Sequence, residues 1–417
     1  MNSKEQLILV SNPGKQHTHQ LLEGLMGFSK VVFATSYWWQ ERKWYYRIVH
    51  LMPRGIKERI MSQLCKRYHA PLKGMPIIEV PGPELRRLFR LGVLKNKDLE
   101  AITFDRERAF DKKMAGKLAD WQPEVVVGYE MACQETFREA RRLGAITVLD
   151  LAQIHYKEID ALGRCFPVFG SLFENRKLRD EINRVKEEEL HLADYILCLS
   201  DFALDSLTKY GVPEQKIFKL NLGFAPQTFL AKKEYRKEGL FRFVFAGTIT
   251  RRKGIDLLIR AFQELDLPDS ELMLIGPLTD AEDTLPQDDP RIRHVAYVPQ
   301  ERLNKLLNDS DLFVFPSYLD SWAMVVVEAM ACGLPVVVTK YTGASDVVRQ
   351  GGGYVIDPEL EPLKEQMKAL YENRLETERL GREARLVAEN YTWAAYHQEL
   401  RKVFTQLRVK NRDYRII

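Results

Sequence analysis

No apolar run in the chain approaches the roughly 20 residues needed to span a bilayer, so no transmembrane helix is expected. Cysteine is scarce: five residues, at 65, 133, 165, 198 and 332, odd in number and widely scattered. They form neither a disulfide framework nor a metal-ligand pattern, which fits a reducing cytoplasm. The opening MNSKEQLILVSNPGK carries no signal-peptide pattern and leads directly into a strand. Internal repeats and low-complexity tracts are missing. So is the GxxxxGK[ST] loop that cradles ATP phosphates, and ATP hydrolysis is therefore not indicated. No metal or other cofactor is expected.

What is present describes a globular protein with a hydrophobic fraction of 45% and a charged fraction of 29%. At 417 residues the chain exceeds one ordinary core, so two domains are expected. The net charge of +4 is mild but uneven. From Glu41 to Arg90 twelve Lys/Arg stand against four glutamates, an excess of eight, interleaved with Trp38, Trp39, Trp44, Tyr45 and Tyr46. Basic residues with interfacial aromatics suit an anionic membrane surface better than nucleic acid. A solvated basic face over core aromatics is the plainer alternative.

Hydrophobic patterning alternates strand and helix along the chain. Strands are expected at Leu7–Ser11, Val31–Thr35, Ile77–Val80, Glu124–Gly128, Ile146–Leu151, Tyr195–Ser200 and Ile217–Leu222. Helical spacing is read at Thr18–Met26, Arg54–Tyr68, Glu84–Leu91, Phe104–Trp121, Glu181–Leu192 and Phe202–Tyr210. A Pro- and Lys-bearing linker, Gly223–Lys237, follows. The alternation then resumes with strands at Phe241–Ala246, Glu271–Ile275, Arg293–Tyr297, Leu312–Phe315, Val336–Thr339 and Tyr354–Ile356, and a helix at Asp256–Leu265. The expectation is α/β: two doubly wound parallel sheets, residues 1–225 and 226–390, with a tail helix of about 391–417.

Four stretches carry candidate chemistry. Gly14, with Lys15, His17 and His19 beside it, lies at the C-terminal end of the first strand, where ligands sit in open α/β sheets; a solvated helix start would look the same. His155 follows the strand Ile146–Leu151 and is placed at the sheet's crevice as a candidate catalytic group. Arg251, Arg252 and Lys253, within GTITRRKG (247–254), stand at a helix start. The helix dipole disfavours cations there unless an anion binds; solvated loop basics are the alternative. The last stretch is LFVFPSYLDSWAMVVVEAMACGLPVVVT (312–339), a strand, loop, helix and strand. Glu328 is its only charge between Trp322 and Cys332, in a helix apolar all round. A buried carboxylate there is costly unless something hydrogen-bonds it. Asp320 precedes the helix, either as a cap or as a second carboxylate framing a ligand.

The pattern FVFAGTITRRKGIDLLIRAF…LMLIGP…VFPSYLDSWAMVVVEAMACGLPVVVTKYTGASDVV resembles the retaining GT-B glycosyltransferases of the large group that includes sucrose-phosphate synthase and many bacterial polysaccharide and glycolipid enzymes. The resemblance covers the second domain; PGKQHTHQLLEGL, His155 and ADYILCLSDFALDSLTKYGVPEQKI match more weakly. Its E-x7-E pair is here Asp320 and Glu328, its glycine-rich elbow is Ser321–Trp322–Ala323, and Thr248 stands where an arginine is usual. The resemblance implies two Rossmann-like domains facing a cleft, with the tail helix crossing back onto the first. It implies metal-independent hexosyl transfer, with retention, from a nucleotide-diphosphate sugar to an acceptor hydroxyl of a saccharide or lipid-linked saccharide, in the cytoplasm or at the inner membrane face. Gly247, Arg251, Arg252, Lys253, Ser321, Trp322, Ala323, Met324 and Glu328 would hold the donor, with Lys253 at the diphosphate and Glu328 at the ribose. Asp320 and His155 would act near the reacting carbon, and Gly14, Lys15 and His17 on the acceptor or phosphate side. A nucleotide-sugar epimerase and a non-catalytic nucleotide-sugar binder are the alternatives.

Overall fold

The structure, a computed structural model, describes residues 6–15, 17–38, 67–92, 98–169, 175–286 and 288–414, with scattered positions between 50 and 61. Seven strands form the first sheet: β1 (Leu7–Ser11), β2 (Lys30–Thr35), β3 (Ile77–Glu79), β4 (Val125–Tyr129), β5 (Ile146–Leu151), β6 (Tyr195–Cys198) and β7 (Ile217–Lys219). All pairs are parallel, in the order β3-β2-β1-β4-β5-β6-β7. The second sheet has six: β8 (Phe241–Ala246), β9 (Ser270–Ile275), β10 (Ile292–Val295), β11 (Leu312–Phe315), β12 (Val336–Thr339) and β13 (Gly353–Ile356), in the order β10-β9-β8-β11-β12-β13. Their central strands read as unbroken apolar runs because helices cover both faces. Val125–Tyr129, Leu312–Phe315 and Val336–Thr339 are buried along their whole length.

Both orders reverse direction once, between β1 and β4 and between β8 and β11. At such a switch point the adjoining loops diverge and leave a crevice at the strands' C-terminal ends. The loops after β1, β5, β8 and β11 are therefore the positions from which side chains can converge.

The final helix, Trp393–Tyr414, packs against the helix Thr18–Leu25 of the first sheet, through Leu400 over Gly24 and Arg401 Nε donating to the Gly24 carbonyl at 2.7 Å. The chain crosses between the two halves twice, and the crossings are bonded together: Phe224 N–H donates to Tyr391 O at 2.9 Å, and Trp393 N–H to Phe224 O at 3.2 Å.

Several local expectations change. The span Phe104–Trp121 is two helices, Leu99–Ala115 and Leu118–Trp121, separated at Gly116. Helices Gln134–Arg142, Tyr156–Cys165, Gln300–Asn308, Leu360–Glu372 and Arg374–Ala388 had no counterpart in the sequence reading. The helix read from Trp322 begins at Met324, because Ala323 takes a left-handed conformation, φ 62°. Trp38 is in the core, edge-on to Phe33, and is not an interfacial aromatic. Trp39, Trp44, Tyr45, Tyr46 and most of Arg54–Tyr68 lie outside the described residues.

Candidate active site

The two switch points face each other across a cavity of about 760 Å³, lined from both sheets. Lys15, His17, His19 and His69 line it from the first; Gly247, Lys253, Asp320 to Met324, and Glu328 line it from the second. Gly14 is adjacent, its N–H donating to Asn12 Oδ1 at 2.7 Å.

Lys253 is delivered by the turn after β8. Thr250 Oγ1 accepts from Lys253 N–H, and Gly254 then takes φ 73° before the helix Ile255–Leu265. The Lys253 ammonium lies 3.5 Å from Asp320 Oδ2 and 5.2 Å from the centre of the Phe315 ring. Burial pulls its pKa down, and the Asp320 carboxylate opposes that pull. A partly desolvated cation with a single acidic neighbour is suited to an anionic ligand.

Glu328 projects from the buried helix Met324–Ala331, amid Val326, Val327, Ala329 and Met330. Burial alone raises its pKa to about 7. It makes no ion pair with any described residue. A carboxylate held in that state gains from hydroxyl donors. Asp320 combines both readings made of it: its Oδ1 accepts from Trp322 N–H at 3.2 Å as a loop cap, while its Oδ2 faces Lys253. Ser321 lines the cavity, but its hydroxyl donates to Ala152 O at 2.6 Å and its carbonyl accepts from Ser200 Oγ at 3.0 Å. It ties the elbow to the first sheet.

Three expected site residues are elsewhere. Arg251 does not line the cavity; its guanidinium is bound by Asp256 at 2.7 Å and Asp283 at 2.5 Å. The dipole penalty anticipated for it is met by these carboxylates. Arg252 donates to the Leu319 carbonyl and lines a neighbouring cavity. His155 caps the helix Tyr156–Cys165, its Nδ1 accepting from Lys157 N–H at 3.1 Å, and it is stacked between Tyr156 and Tyr210 at 4.8 and 4.9 Å. Burial lowers its pKa to about 4, with Lys157 adding to the shift. It is a neutral cap away from the cavity.

Of the two histidines expected to act at the site, His155 and His17, it is His17 that lines the cavity, its Nε2 2.8 Å from Asp150 Oδ2. Asp150 was not anticipated, although it lies in the strand Ile146–Leu151, five residues before His155. His19, which the sequence places beside Gly14, and His69, which was not anticipated, stack at 5.1 Å. Burial, then Lys15, His69 and Arg67, lower the His19 pKa to about 3. No group of three or more His, Cys, Asp or Glu among the described residues could hold a metal ion.

Residues 227–387 match the family model "Glycosyl transferases group 1". This segment is similar to the group 1 glycosyl transferases. It holds every cavity residue of the second sheet. A D-inositol 3-phosphate glycosyltransferase of Arthrobacter sp. (strain FB24) is 32% identical over 168 residues, which are 37% of this chain and 40% of that one. The O-antigen chain mannosyltransferase B of Escherichia coli is 30% identical over 191 residues, 41% of this chain and 49% of the other. The chain thus spans about half the length, or less, of these relatives. Among solved structures, sucrose-phosphate synthase from Thermosynechococcus elongatus superposes with a TM-score of 0.68 at 16% identity, over 97% of this chain and 100% of that one. HepE of Anabaena, in complex with UDP, gives 0.65 at 14%, with 97% and 100% covered. The second sheet with its helices therefore forms one half of a GT-B fold, and the first sheet supplies the other half.

Proposed function

We propose that the protein transfers a glycosyl unit from a nucleotide-diphosphate sugar to an acceptor hydroxyl, with retention at the anomeric carbon and without a metal ion. One observation carries the reading: Glu328, buried and without an ion-pair partner among the described residues, and Lys253 with Asp320 line one cavity between the two sheets. The Glu328 carboxylate accepts hydrogen bonds from the ribose. Lys253 and the N-terminus of the helix Met324–Ala331 receive the diphosphate and stabilise the charge that grows on it as the bond to the anomeric carbon breaks. Asp320 orients both Lys253 and the donor sugar. His17, fixed by Asp150, faces the donor from the acceptor side. The paired crossings at Phe224 and Tyr391–Trp393 let the two halves close over the cavity and exclude water, which would otherwise hydrolyse the donor.

The similarity of residues 227–387 to enzymes named for inositol phosphate and O-antigen glycosylation supports a saccharide or glycolipid acceptor. No helix among the described residues is long and apolar enough to cross a membrane. The exposed Leu85, Leu88 and Phe89, at helical spacing beside Arg86, support a peripheral contact with an anionic membrane.

The test is release of nucleoside diphosphate from a panel of nucleotide sugars, in EDTA, with the anomeric configuration of the product read by NMR. Release with retention is expected, and Glu328→Gln should abolish it in a folded protein. Inversion, a requirement for metal, or unchanged release in the variant would each overturn the corresponding part of the reading.

A further inference from the structure

The loop that carries Asp320 is built into both halves of the molecule. Its own half holds it from two sides. Asp320 N–H donates to Tyr341 O at 3.0 Å, Gly343 N–H to Asp320 O at 2.8 Å, and Ala344 N–H to Trp322 O at 2.8 Å. On the other side Tyr318 N–H donates to Arg252 O at 2.9 Å, and the Arg252 guanidinium reaches the Leu319 carbonyl. Arg252 therefore links this loop to the turn that delivers Lys253.

The first half grips the same loop. The Leu319 side chain is buried in the apolar core around β5 and β6, with Leu149, Leu151 and Ile196. Tyr318 and Tyr341 pack against that core, their rings 4.9 and 5.6 Å from that of Phe166. Polar contacts then cross the boundary in both directions. The Ser321 hydroxyl donates to Ala152 O at 2.6 Å, and the Ser321 carbonyl accepts from Ser200 Oγ at 3.0 Å. Gly343 makes room for this exchange: a Cβ there would lie 2.0 Å from Ser321 O and 2.9 Å from Ser200 Oγ. Three residues on, the buried Asp346 accepts through Oδ2 from Asp201 N–H at 2.6 Å, at the start of the helix Asp201–Lys209. Lys219 bonds the Asp201 carboxylate beside it. Apolar contact is non-directional and holds surfaces together without fixing their register. Hydrogen bonds are directional, and here they fix it.

We propose that Ser321 and Asp346 are positioning residues for glycosyl transfer. They clasp the Asp320 loop to the first half, and so set Lys253 and Asp320 against His17 and Lys15, which the first sheet presents across the cavity. The inference rests on the transferase reading above. Neither side chain acts on a substrate, because the Ser321 hydroxyl is engaged by Ala152 and the Asp346 carboxylate by Asp201. Nucleotide binding draws on Lys253 and Glu328, both in the second half, and survives loss of the clasp. Transfer needs the two halves in register, and does not.

The test uses the full chain. In Ser321→Ala and Asp346→Ala, kcat for nucleoside diphosphate release should fall about 10–100-fold, the scale of a reacting group misplaced by about 1 Å. The Kd for UDP should stay at its wild-type value. Asp346→Asn keeps an acceptor for Asp201 N–H and should recover most of kcat. Ser270→Ala is the control. It removes another buried serine bond, Oγ to Leu267 O at 2.8 Å, at the end of β9 remote from the cavity. It should lower the melting temperature and leave kcat unchanged. Hydrogen exchange reads the clasp without the reaction: the amides of Asp201, Gly343 and Ala344 should exchange faster in the two alanine variants and not in Ser270→Ala. Loss of UDP affinity in step with kcat, or an equal fall of kcat in Ser270→Ala, would overturn the inference. Faster exchange with wild-type kcat would remove the positioning role alone. Faster exchange in a protein that cleaves no nucleotide sugar even as wild type would remove the transferase reading and leave the clasp as a structural joint.

Discussion

The ammonium of Lys253 lies 3.5 Å from Asp320 Oδ2, while Arg251, two residues earlier in the same turn, is turned away onto Asp256 and Asp283. Two neighbouring cations thus have opposite consequences. Lys253→Ala removes the cation facing the departing diphosphate, and nucleoside diphosphate release should fall by about 10²–10³-fold. Arg251→Ala breaks only half-exposed ion pairs. It should cost at most about 1 kcal/mol in urea unfolding and leave release at the wild-type rate. Equal losses in the two variants would refute this division.

Glu328 makes a prediction about pH. Its folded pKa, about 7, lies above its ordinary value of 4.5. Between these values the folded protein binds more protons than the unfolded chain, so this group's contribution to stability falls as pH rises from 4.5 to 7. The difference of 2.5 corresponds to about 3 kcal/mol. Glu328→Gln lacks the titration. Its urea midpoint, relative to wild type, should climb through that window and level off above it. A constant offset across the window would contradict the assignment.

Glu328 was legible in the sequence because one charge interrupted an otherwise apolar helix. Burial along β4, β11 and β12 was legible for the same reason: continuous apolar runs announce strands covered on both faces. Arg251 and Arg252 were misread because sequence gives neighbours along the chain and not direction. Asp283, 32 residues away in sequence, is what turns Arg251 aside. Asp150 was invisible because its significance comes from His17, 133 residues distant. The helices at 134–142, 300–308 and 374–388 are rich in charge and narrow in apolar stripe, so their periodicity was weak beside that of the core.

His155 was expected at the chemistry and is a helix cap. His155→Asn preserves the capping acceptor, so thermal stability near pH 7 should be within about 1 kcal/mol of wild type, with release unchanged. The acid limb should differ. The His155 pKa is lowered to about 4, so below pH 6.5 the unfolded chain takes up a proton that the folded protein refuses. Wild type therefore loses stability as pH falls from 6.5 to 4, and the variant should lose less. A tenfold drop in release at unchanged melting temperature would return His155 to the reaction.

Gly254 is where backbone and site depend on each other most closely. It sits at φ 73°, and a Cβ there would lie 2.0 Å from the Pro316 carbonyl oxygen. That oxygen belongs to the loop leaving β11, the same loop that carries Asp320. A methyl group cannot be accommodated by rotating a side chain, because the obstacle is backbone. Either the Lys253 turn or the Asp320 loop has to move, and both hold the cavity. Gly254→Ala should therefore cost about 2–4 kcal/mol in unfolding free energy, from steric clash and left-handed strain together. At temperatures where the variant stays folded, UDP affinity should fall with it, because Lys253 and Asp320 can no longer keep their spacing. Gly144→Ala is the control. It has a similar φ of 75° but open space around its Cβ, so it should show only the conformational cost, about 1 kcal/mol, with UDP affinity intact. Equal melting shifts in the two variants would mean that the approach of Gly254 to Pro316 is not what fixes the spacing of Lys253 and Asp320.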